Sequence, residues 1–453
     1  MNQPVGVERL WERAETVLLK GGRLIDPAAG VDESRDLFLR RGKVEGVAPG
    51  IAREADLTLD LTGHVVAPGF GDMHVHLREP GDEDAETIAS GSHAAAVGGF
   101  TRVACMPNTR PPLDNRGQIE YILRAARAAG FAEVRPVAAA TRGRAGRELT
   151  EMHELKSAGA VAVSDDGSPI EDSYVMRRVL EYAHTWDLLV ITHAEDKTLA
   201  AGGVMHEGYW STVLGLPGIP AAAEGLAVAR DIRLAELTGA RLHIAHVSTA
   251  EAVESIRAAK ARGITVTAET APHYIALTDE SLKDFDSVFR VNPPLRTEAD
   301  RRAVIAGLRD GTIDALATDH APHTSVVKDQ ELEAAPSGMI GLESALGVSL
   351  EILHHREGFS LNDIVRLWSS RPAEIMGWGG GRVRPGEDAD LTVLDADVAW
   401  TCDPEAFVSL SRNCPFRGWG LRGRALLTVC GGRLTHIDGV AAWPSERLQS
   451  QIS

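Results

Sequence analysis

The chain contains 453 residues, of which 44% are hydrophobic and 25% are charged, and this composition excludes a largely disordered chain. The net charge of −17 argues against a general nucleic-acid or membrane-surface binder. No apolar run approaches the roughly 18 residues of a membrane span, and residues 1–14 lack the apolar core of a signal peptide, so we expect a cytoplasmic protein.

Short β segments separated by Gly, Pro and Asp turns are predicted near both ends of the chain. They span Thr16–Ile25, Asp36–Val47, Leu57–Leu61, Asp390–Leu394 and Leu426–Leu434. The sequence Gly-Gly-Arg-Leu occurs in both groups, at 21–24 and at 431–434. We expect a small β-sandwich domain built from both termini, residues 15–67 and 380–440, with an N-terminal extension over 1–14 and a C-terminal tail over 441–453.

Between these segments the sequence repeats one pattern, an apolar or β-branched run that ends in polar residues and is followed by a helical stretch. Eight such runs occur, at Val65–Leu77, Thr101–Thr109, Glu133–Thr141, Ala160–Asp166, Leu188–Asp196, Arg241–Thr249, Thr265–Tyr274 and Ala315–His323. In the stretch Glu171–Trp186, apolar residues recur at helical spacing. The pattern predicts a (β/α)₈ TIM-type barrel over residues 68–379, with its chemistry at the C-terminal ends of the strands.

Histidines and a carboxylate lie at the ends of several of these runs. Side chains two apart in a strand share a face, so we expect His74 and His76 both to point into the barrel. The fifth and sixth runs offer His193 and His246, and the eighth offers Asp319. Imidazole and carboxylate suit zinc, whereas the four cysteines are too scattered for a disulfide framework or a zinc ribbon. The sequence therefore predicts a zinc centre at the barrel mouth.

Two further histidines stand beside these candidates, and we expect both to face elsewhere. His243 lies three residues before His246, which predicts that it faces the surrounding helices. His320 follows Asp319 directly and is expected to point the opposite way.

Several motifs together resemble those of a known family. They are Asp72–Gly81, Met-Pro-Asn-Thr at 106–109, Ser-Asp-Asp-Gly at 164–167, Asn-Pro-Pro-Leu-Arg at 292–296 and Asp-His-Ala-Pro-His at 319–323. This set resembles the dihydroorotases of the bacterial class I type, in the amidohydrolase superfamily. The resemblance extends from about Thr16 to about His436. His-x-His alone would indicate only the superfamily, and its combination with Leu-Arg-Glu-Pro-Gly at 77–81 and Asn-Pro-Pro-Leu-Arg at 292–296 is what points to dihydroorotases.

The resemblance implies a metal-ligand set. His74, His76 and Asp319 would hold one zinc, His193 and His246 a second where it is occupied, and Asp166 would bridge the two. Many amidohydrolases bridge with a carboxylated Lys, but the fourth run contains no Lys. Asp165 is the competing bridge, because alternation turns only one of the two neighbours inward. The 27-residue separation between Asp166 and His193 fits the family motif without a gap and favours Asp166.

The resemblance also implies the substrate contacts. They are His76, Arg78, Asn108, Asn292 and His323, with Ser337 and Gly338 closing over the ring through backbone groups. The planar fork of Arg78 suits a carboxylate, which dihydroorotate and N-carbamoyl-L-aspartate carry. The implied reaction is reversible, zinc-dependent hydrolysis of the cyclic amide of dihydroorotate, whose reverse closes the ring in pyrimidine synthesis. Asp319 would accept a proton from the attacking water and deliver it to the leaving nitrogen.

Two alternatives remain open at the level of sequence. The first is an allantoinase or dihydropyrimidinase-like cyclic amidohydrolase, against which the absent Lys and the presence of Arg78 argue. The second is an inactive dihydroorotase-like scaffold, which would be expected to lose metal ligands. A homodimer and association with aspartate transcarbamoylase are further hypotheses, and residues 324–334 are interpreted as either a lid or an ordinary surface loop.

Overall fold

The structure, a computed structural model, describes residues 5–438. The strands are β1 Thr16–Lys20, β2 Arg23–Asp26, β3 Val31–Ser34, β4 Asp36–Arg40, β5 Lys43–Ala48, β6 Leu57–Asp60, β7 Val65–Pro68, β8 Phe70–Val75, β9 Phe100–Cys105, β10 Glu133–Ala139, β11 Ala162–Ser164, β12 Leu189–Thr192, β13 Met205–His206, β14 Gly218–Ile219, β15 Leu242–Ile244, β16 Val266–Thr270, β17 Ala315–Leu316, β18 Leu391–Thr401, β19 Gly420–Cys430 and β20 Arg433–Ile437.

The α-helices connect these strands and also flank them. They are α1 Val5–Arg13, α2 Ile88–Val97, α3 Arg116–Ala129, α4 Met152–Ala158, α5 Ser173–Thr185, α6 Lys197–Ala200, α7 Tyr209–Leu214, α8 Ala221–Thr238, α9 Ala250–Ala261, α10 Pro272–Ala276, α11 Glu298–Asp310, α12 Ser325–Lys328, α13 Ala345–Ser349, α14 Leu361–Val365 and α15 Arg371–Met376. Two π-helical segments, Leu350–Arg356 and Arg366–Ser370, continue α13 and α14. Within residues 5–438, no helix is both long enough and apolar enough to cross a membrane.

Eight parallel strands form the barrel, in the order β8-β9-β10-β11-β12-β15-β16-β17. A parallel bridge between Val75 and His320 joins the last strand segment to the first, and the His76 N–H donates to the His320 carbonyl at 2.8 Å. The Asp72 carboxylate strengthens this seam by accepting from the Thr318 backbone N–H at 3.1 Å. The predicted (β/α)₈ barrel is therefore confirmed, and each of the eight apolar runs contributes one of its strands.

Helix α5 illustrates how the local sequence sets the barrel layers. Asp172 caps its start by accepting from the backbone N–H groups of Tyr174 and Val175. Its buried residues recur at helical spacing: Met176, Val179, Leu180 and Ala183. The predicted helix over Glu171–Trp186 is confirmed with slightly shorter bounds.

The first apolar run differs from its prediction because it forms two strands in two sheets. β7 belongs to the terminal β domain and β8 to the barrel, and Gly69 separates them. A Cβ atom at Gly69 would lie 2.2 Å from the Thr101 hydroxyl oxygen, so only glycine allows the chain to pass there.

The terminal domain is a β-sandwich, as predicted. Its sheets are β5-β4-β1-β6 and β20-β19-β18-β7-β2-β3, so both ends of the chain contribute strands. The shared core contains Leu19, Leu37 and Leu59 from the first sheet and Leu24, Val66, Leu427 and Val429 from the second. β7 and β18 pair antiparallel, with Val65 opposite Leu394. Val7 and Trp11 of α1 join the same core, whereas the tail over 441–453 lies outside the described residues.

Apolar side chains of the barrel strands form one buried cluster with side chains from the end of α15. We call this cluster the barrel floor, and it consists of Met73, Ala104, Met106, Val137, Ala162, Leu189, Ile191, Ala245, Ala315, Ile375, Met376 and Trp378. The polar side chains that end the strands lie above it, at the mouth.

Candidate metal centre and substrate pocket

Six side chains predicted from the sequence converge at the barrel mouth, and all are buried. This six-residue cluster consists of His74, His76, Asp166, His193, His246 and Asp319. Asp166 lies at its centre, with Oδ1 3.3 Å from His74 Nε2 and 3.7 Å from His246 Nε2. The same Oδ1 is 3.7 Å from His193 Nδ1, and Oδ2 is 3.7 Å from His76 Nε2. One carboxylate therefore faces all four imidazoles.

Asp319 lies on one side of Asp166. Its Oδ1 is 2.9 Å from His76 Nε2 and 3.6 Å from His74 Nε2. On the other side, His193 Nδ1 lies 2.9 Å from His246 Nε2. The cluster thus contains two close pairs, Asp319 with His76 and His193 with His246, and Asp166 lies within 3.7 Å of all four imidazoles.

The donor set and one unpaired atom fit zinc. Among the described residues, His74 Nε2, which faces Asp166, is buried and has no hydrogen-bond partner, a costly arrangement unless a ligand completes it. His74, His76 and Asp319 bring ligand atoms within 4.8 Å of one another, as do His74, Asp166 and His246. Imidazole nitrogen and carboxylate oxygen are donors that zinc prefers.

The backbone at the mouth departs from strand geometry. His246 has φ 37° and Asp319 has φ 47°, and both follow the last residue of their strand within a few positions. A positive φ strains a residue with a Cβ, and such strain persists where the surrounding structure enforces it. These two turns aim the His246 and Asp319 side chains into the cluster.

Electrostatics keep both carboxylates of the cluster ionised. Burial alone would raise the pKa of Asp166, but His74, His246 and His76 outweigh burial and hold that pKa well below its usual value. Burial likewise opposes ionisation of Asp319, and the His76 hydrogen bond with the charge of His74 lowers its pKa. Two ionised carboxylates among four imidazoles are suited to bind divalent cations.

The geometry distinguishes the two neighbouring aspartates on the fourth barrel strand. Asp165 turns away from the six-residue cluster and accepts from the backbone N–H groups of Ala140 at 2.9 Å and Thr141 at 3.0 Å. It also accepts from the Thr141 hydroxyl. Asp166 alone of the two faces the imidazoles, which supports its choice as the bridge.

A cavity of about 250 Å³ opens above the cluster. Its lining consists of His76, Arg78, Asn108, Asp166, Gly167, His193, His246, Val291, Asn292, Asp319, Ala321, His323, Ser337 and Gly338. The structure therefore brings together every residue that the sequence analysis assigned to the substrate. His74 does not line the cavity, because its side chain is fully buried beneath it.

Arg78 and His323 form one part of this lining. Arg78 has φ 61°, and its Nε donates to the Pro322 carbonyl at 2.9 Å. His323 Nε2 lies 2.9 Å from the Ser337 carbonyl oxygen and 3.4 Å from Arg78 Nη2. Burial and the Arg78 charge lower the pKa of His323 to about 3, so this ring is neutral at pH 7. Arg78 Nε is engaged by the protein, which leaves the terminal guanidinium nitrogens for a ligand.

The two asparagines contact histidines of the cluster. Asn108 Oδ1 lies 2.9 Å from His76 Nδ1, which makes Nδ1 the donor and leaves Nε2 directed toward Asp319. Asn292 Nδ2 lies 3.4 Å from His193 Nε2. Among the described residues, Asn292 Oδ1 is buried without a hydrogen-bond partner. Both side chains are therefore placed to join the metal ligands to a bound molecule.

The prediction for His243 is wrong, whereas that for His320 is confirmed. His243 points into the barrel, where Nδ1 lies 2.8 Å from Thr267 Oγ1 and Nε2 lies 3.3 Å from Glu269 Oε2. The side-chain direction of His243 cannot be inferred from its spacing to His246, because strand β15 ends at Ile244. The left-handed backbone at His246 interrupts the alternation of side chains beyond that point. His320 turns away from the cluster, and its Nε2 lies 3.3 Å from Glu86 Oε2.

Sequence reasoning missed two residues that shape the site. Glu269 Oε1 lies 3.0 Å from His74 Nδ1, and alternation from Thr267 could have identified it as an inward carboxylate. Asn413 holds the pocket wall, because its Oδ1 accepts from the His323 N–H at 3.2 Å and its Nδ2 donates to the Gly338 carbonyl at 3.2 Å. No local signal marks Asn413, which lies 90 positions from His323 in the chain.

Comparisons with known proteins agree with this geometry. A family model described as Dihydro-orotase-like matches residues 63–252. A dihydroorotase of Syntrophus aciditrophicus is 52% identical over 93% of this chain and 99% of its own length. A dihydroorotase of Pelotomaculum thermopropionicum is also 52% identical, over 94% of this chain and 99% of its own length.

Solved structures share the whole architecture. An L-hydantoinase from Arthrobacter aurescens has a TM-score of 0.85 at 26% identity, covering 93% of this chain and 96% of its own. A dihydropyrimidinase from Brevibacillus agri has a TM-score of 0.82 at 23% identity, covering 94% and 95%, and supports the fold alone. From its close relatives, this chain belongs to the dihydroorotase family of cyclic amide hydrolases, within the amidohydrolase superfamily.

Proposed function

We propose that this chain is a zinc-dependent dihydroorotase that interconverts N-carbamoyl-L-aspartate and (S)-dihydroorotate in de novo pyrimidine biosynthesis. One observation carries the proposal. A single cavity is lined by buried imidazoles, by the ionised carboxylates of Asp166 and Asp319, and by the guanidinium of Arg78. Hydrolysis of a cyclic amide that bears a carboxylate requires a centre for hydrolysis and a cationic group that binds the carboxylate. The lining of this cavity contains residues suited to both.

The cluster provides ligands for two zinc ions. His74, His76 and Asp319 would hold the first, His193 and His246 the second, and Asp166 would contact both. When bound, zinc supplies Lewis acidity and makes a water molecule acidic enough to ionise near neutral pH.

Asp319 is the residue that moves the proton. Within the cluster alone, burial opposes its ionisation, but the His76 hydrogen bond and the charge of His74 lower its pKa, and a bound divalent cation would favour the same ionised form. Asp319 can therefore accept a proton from the water that attacks the ring carbonyl. It then returns that proton to the ring nitrogen as the carbon–nitrogen bond breaks. In the direction of ring closure, the same carboxylate takes the proton from the carbamoyl nitrogen.

Arg78 and its neighbours bind the substrate. The terminal nitrogens of Arg78 would donate two parallel hydrogen bonds to the substrate carboxylate. Neutral His323 and the side chain of Asn292 would contact the same end of the ring, and the backbone of Ser337 and Gly338 would close over it. These contacts hold the amide carbonyl next to Asp319 while they contribute no proton transfer.

A hydantoinase or dihydropyrimidinase-like activity is the nearest alternative, because the similar solved structure from Arthrobacter aurescens is an L-hydantoinase. Hydantoin and dihydropyrimidine rings lack the carboxylate, so Arg78 would face them without a counter-charge. An inactive scaffold is the other alternative. Retention of all six candidate ligands argues against it.

Zinc analysis combined with three turnover assays tests the proposal. We expect the zinc-loaded protein to hydrolyse dihydroorotate far faster than dihydrouracil or hydantoin, and a chelator to abolish the activity. Faster turnover of an uncharged ring would favour the alternative amidohydrolase. Bound zinc without turnover of any ring would identify a scaffold.

A cytoplasmic location, a homodimer and association with aspartate transcarbamoylase stay predictions. Size-exclusion chromatography of the purified chain, alone and with aspartate transcarbamoylase, tests the last two.

A further inference from the structure

A line of buried side chains leads from the metal cluster into the barrel interior. Glu269, on β16, lies with Oε1 3.0 Å from His74 Nδ1. Its other oxygen, Oε2, lies 3.3 Å from Nε2 of His243, on β15. His243 Nδ1 in turn lies 2.8 Å from the Thr267 hydroxyl. His74 and His243 are fully buried and Glu269 is 1% exposed, so water does not compete for these contacts.

The Glu269 carboxylate determines which nitrogen of His74 is available to a metal. An ionised carboxylate only accepts hydrogen bonds, so His74 Nδ1 must carry the proton that points toward Oε1. In the neutral, metal-binding form of His74, the Nε2 atom then presents its lone pair. Nε2 is the orphaned atom that faces Asp166 at 3.3 Å and Asp319 at 3.6 Å.

The two histidines of the first strand differ in this outer contact. His76 Nδ1 lies against Asn108 Oδ1, a neutral amide oxygen that also lines the cavity. His74 Nδ1 lies against a carboxylate that no substrate can reach. A carboxylate partner makes an imidazole a stronger ligand than an amide partner does. We therefore expect His74 to bind a metal more strongly than His76.

We propose that Glu269, itself held by His243, is a positioning residue that fixes the ring and tautomer of His74 for metal binding. This inference rests on the proposed zinc centre and adds to it two residues outside the ligand set. His243 limits rotation of the Glu269 carboxylate, because its Nε2 lies 3.3 Å from the second oxygen. Neither Glu269 nor His243 lines the cavity.

The test measures metal affinity of the purified chain by competition with a chromophoric zinc chelator. Glu269→Gln keeps the side-chain shape and removes the charge, and we expect about 10- to 100-fold weaker zinc binding, as for other outer-shell partners. His243→Leu leaves Glu269 in place but frees Oε2, so its loss of affinity is expected to be smaller. The cobalt-substituted Glu269→Gln protein should also show a shifted visible absorption band, because a loosened His74 changes the ligand field.

A matched control separates metal positioning from general stability. Glu351 is 7% exposed and pairs with Arg356 at 3.0 Å and Arg422 at 2.9 Å, outside the barrel mouth. Glu351→Gln makes the same chemical change at a buried, paired glutamate. We expect it to lower the melting temperature while the zinc affinity and the cobalt spectrum stay at wild-type values.

The outcomes distinguish this inference from the proposed function. If Glu269→Gln keeps the zinc affinity and the cobalt spectrum of the unaltered chain, the positioning role is overturned. The proposed function still stands in that case, provided that the unaltered chain binds zinc and hydrolyses dihydroorotate. A wild-type chain that binds no zinc would overturn both. If Glu269→Gln does not fold, His243→Leu decides, and wild-type affinity in that variant overturns the inference.

Discussion

The two ends of the barrel interior follow opposite rules. The floor is filled by apolar side chains such as Leu189, Ile191 and Trp378, each 4% exposed or less. The mouth contains imidazoles and carboxylates, buried atoms without partners, and residues with positive φ at Arg78, His246 and Asp319. An unsatisfied buried polar group costs roughly 1–3 kcal/mol, and a strained backbone residue costs a similar amount, about 1–3 kcal/mol.

We infer that the floor stabilises the fold, whereas the mouth is arranged for a ligand and lowers the stability of the fold. Substitutions at the two ends should therefore separate two measurements. Those at the floor should change the free energy of unfolding, and those at the mouth should change metal binding and turnover.

The largest effect is expected for Asp319→Asn. Asparagine cannot accept the proton from the attacking water, and general acid–base catalysis contributes about 10²- to 10⁴-fold in rate, so turnover should fall by at least that factor. Asparagine tolerates the left-handed φ of 47° at this position, so the melting temperature should change little. Steady-state kinetics on metal-replete protein checks this expectation, and near wild-type turnover would remove Asp319 from the mechanism.

At the floor, Leu189→Ala should give the converse result. Leu189 is 3% exposed within the floor cluster, and truncating a buried leucine to alanine costs about 2–5 kcal/mol. Urea denaturation should show this loss in the free energy of unfolding, with KM for dihydroorotate close to wild type. A large change in KM with little loss of stability would contradict the separation of the two ends.

Arg78→Lys sharpens the comparison within the mouth. Lysine keeps the charge but loses the planar fork, and hydrogen bonds to charged groups contribute about 1.5–3 kcal/mol each. We expect kcat/KM for dihydroorotate to fall about 10- to 150-fold, which is that free energy converted to a rate ratio. Dihydrouracil, which lacks the carboxylate, serves as the control substrate, and an equal loss on both rings would make Arg78 structural.

The smallest effect is expected for bicarbonate, because leaving it out should not change the activity of the enzyme. The Asp166 carboxylate is encoded in the sequence, whereas a carboxylated lysine forms only by reaction with carbon dioxide. Metal-free protein given zinc in bicarbonate-free buffer should therefore recover full activity.

Asp166→Ala should weaken the second zinc more than the first, since His74, His76 and Asp319 still hold the first. A bicarbonate requirement, or loss of the second zinc in Asp165→Ala instead, would show that the bridge is assigned wrongly.

Much of the fold could be predicted from the sequence, because buried parallel strands appear as apolar runs between helical stretches. The run at Val65–Leu77 shows the limit. Its hydrophobicity is continuous, and only the close approach of Gly69 to Thr101 divides it between two sheets. Contacts of that kind join distant parts of the chain and leave no periodic signal.

The candidate site divides in the same way. Strand alternation predicted the inward direction of His74 and His76, since His74 lies on β8 and His76 directly follows it. Alternation failed at His243 because the turn at His246 has φ 37°. It would have found Glu269, whereas Asn413 reaches the pocket from the C-terminal part of the chain and could be found only in three dimensions.

The pairing of β7 with β18 has a consequence for synthesis on the ribosome. β7 leads directly into the barrel, yet its antiparallel neighbour β18 forms from residues 391–401, which are made after the barrel strands. The Phe70 N–H and the Thr392 hydroxyl, which meet beside this seam, are 322 positions apart. While the barrel strands emerge in order, one edge of β7 therefore has no neighbour, and exposed strand edges promote aggregation. A nascent chain released before residue 391 would keep that open edge. Protection of this strand edge thus depends on synthesis of residues 391–401.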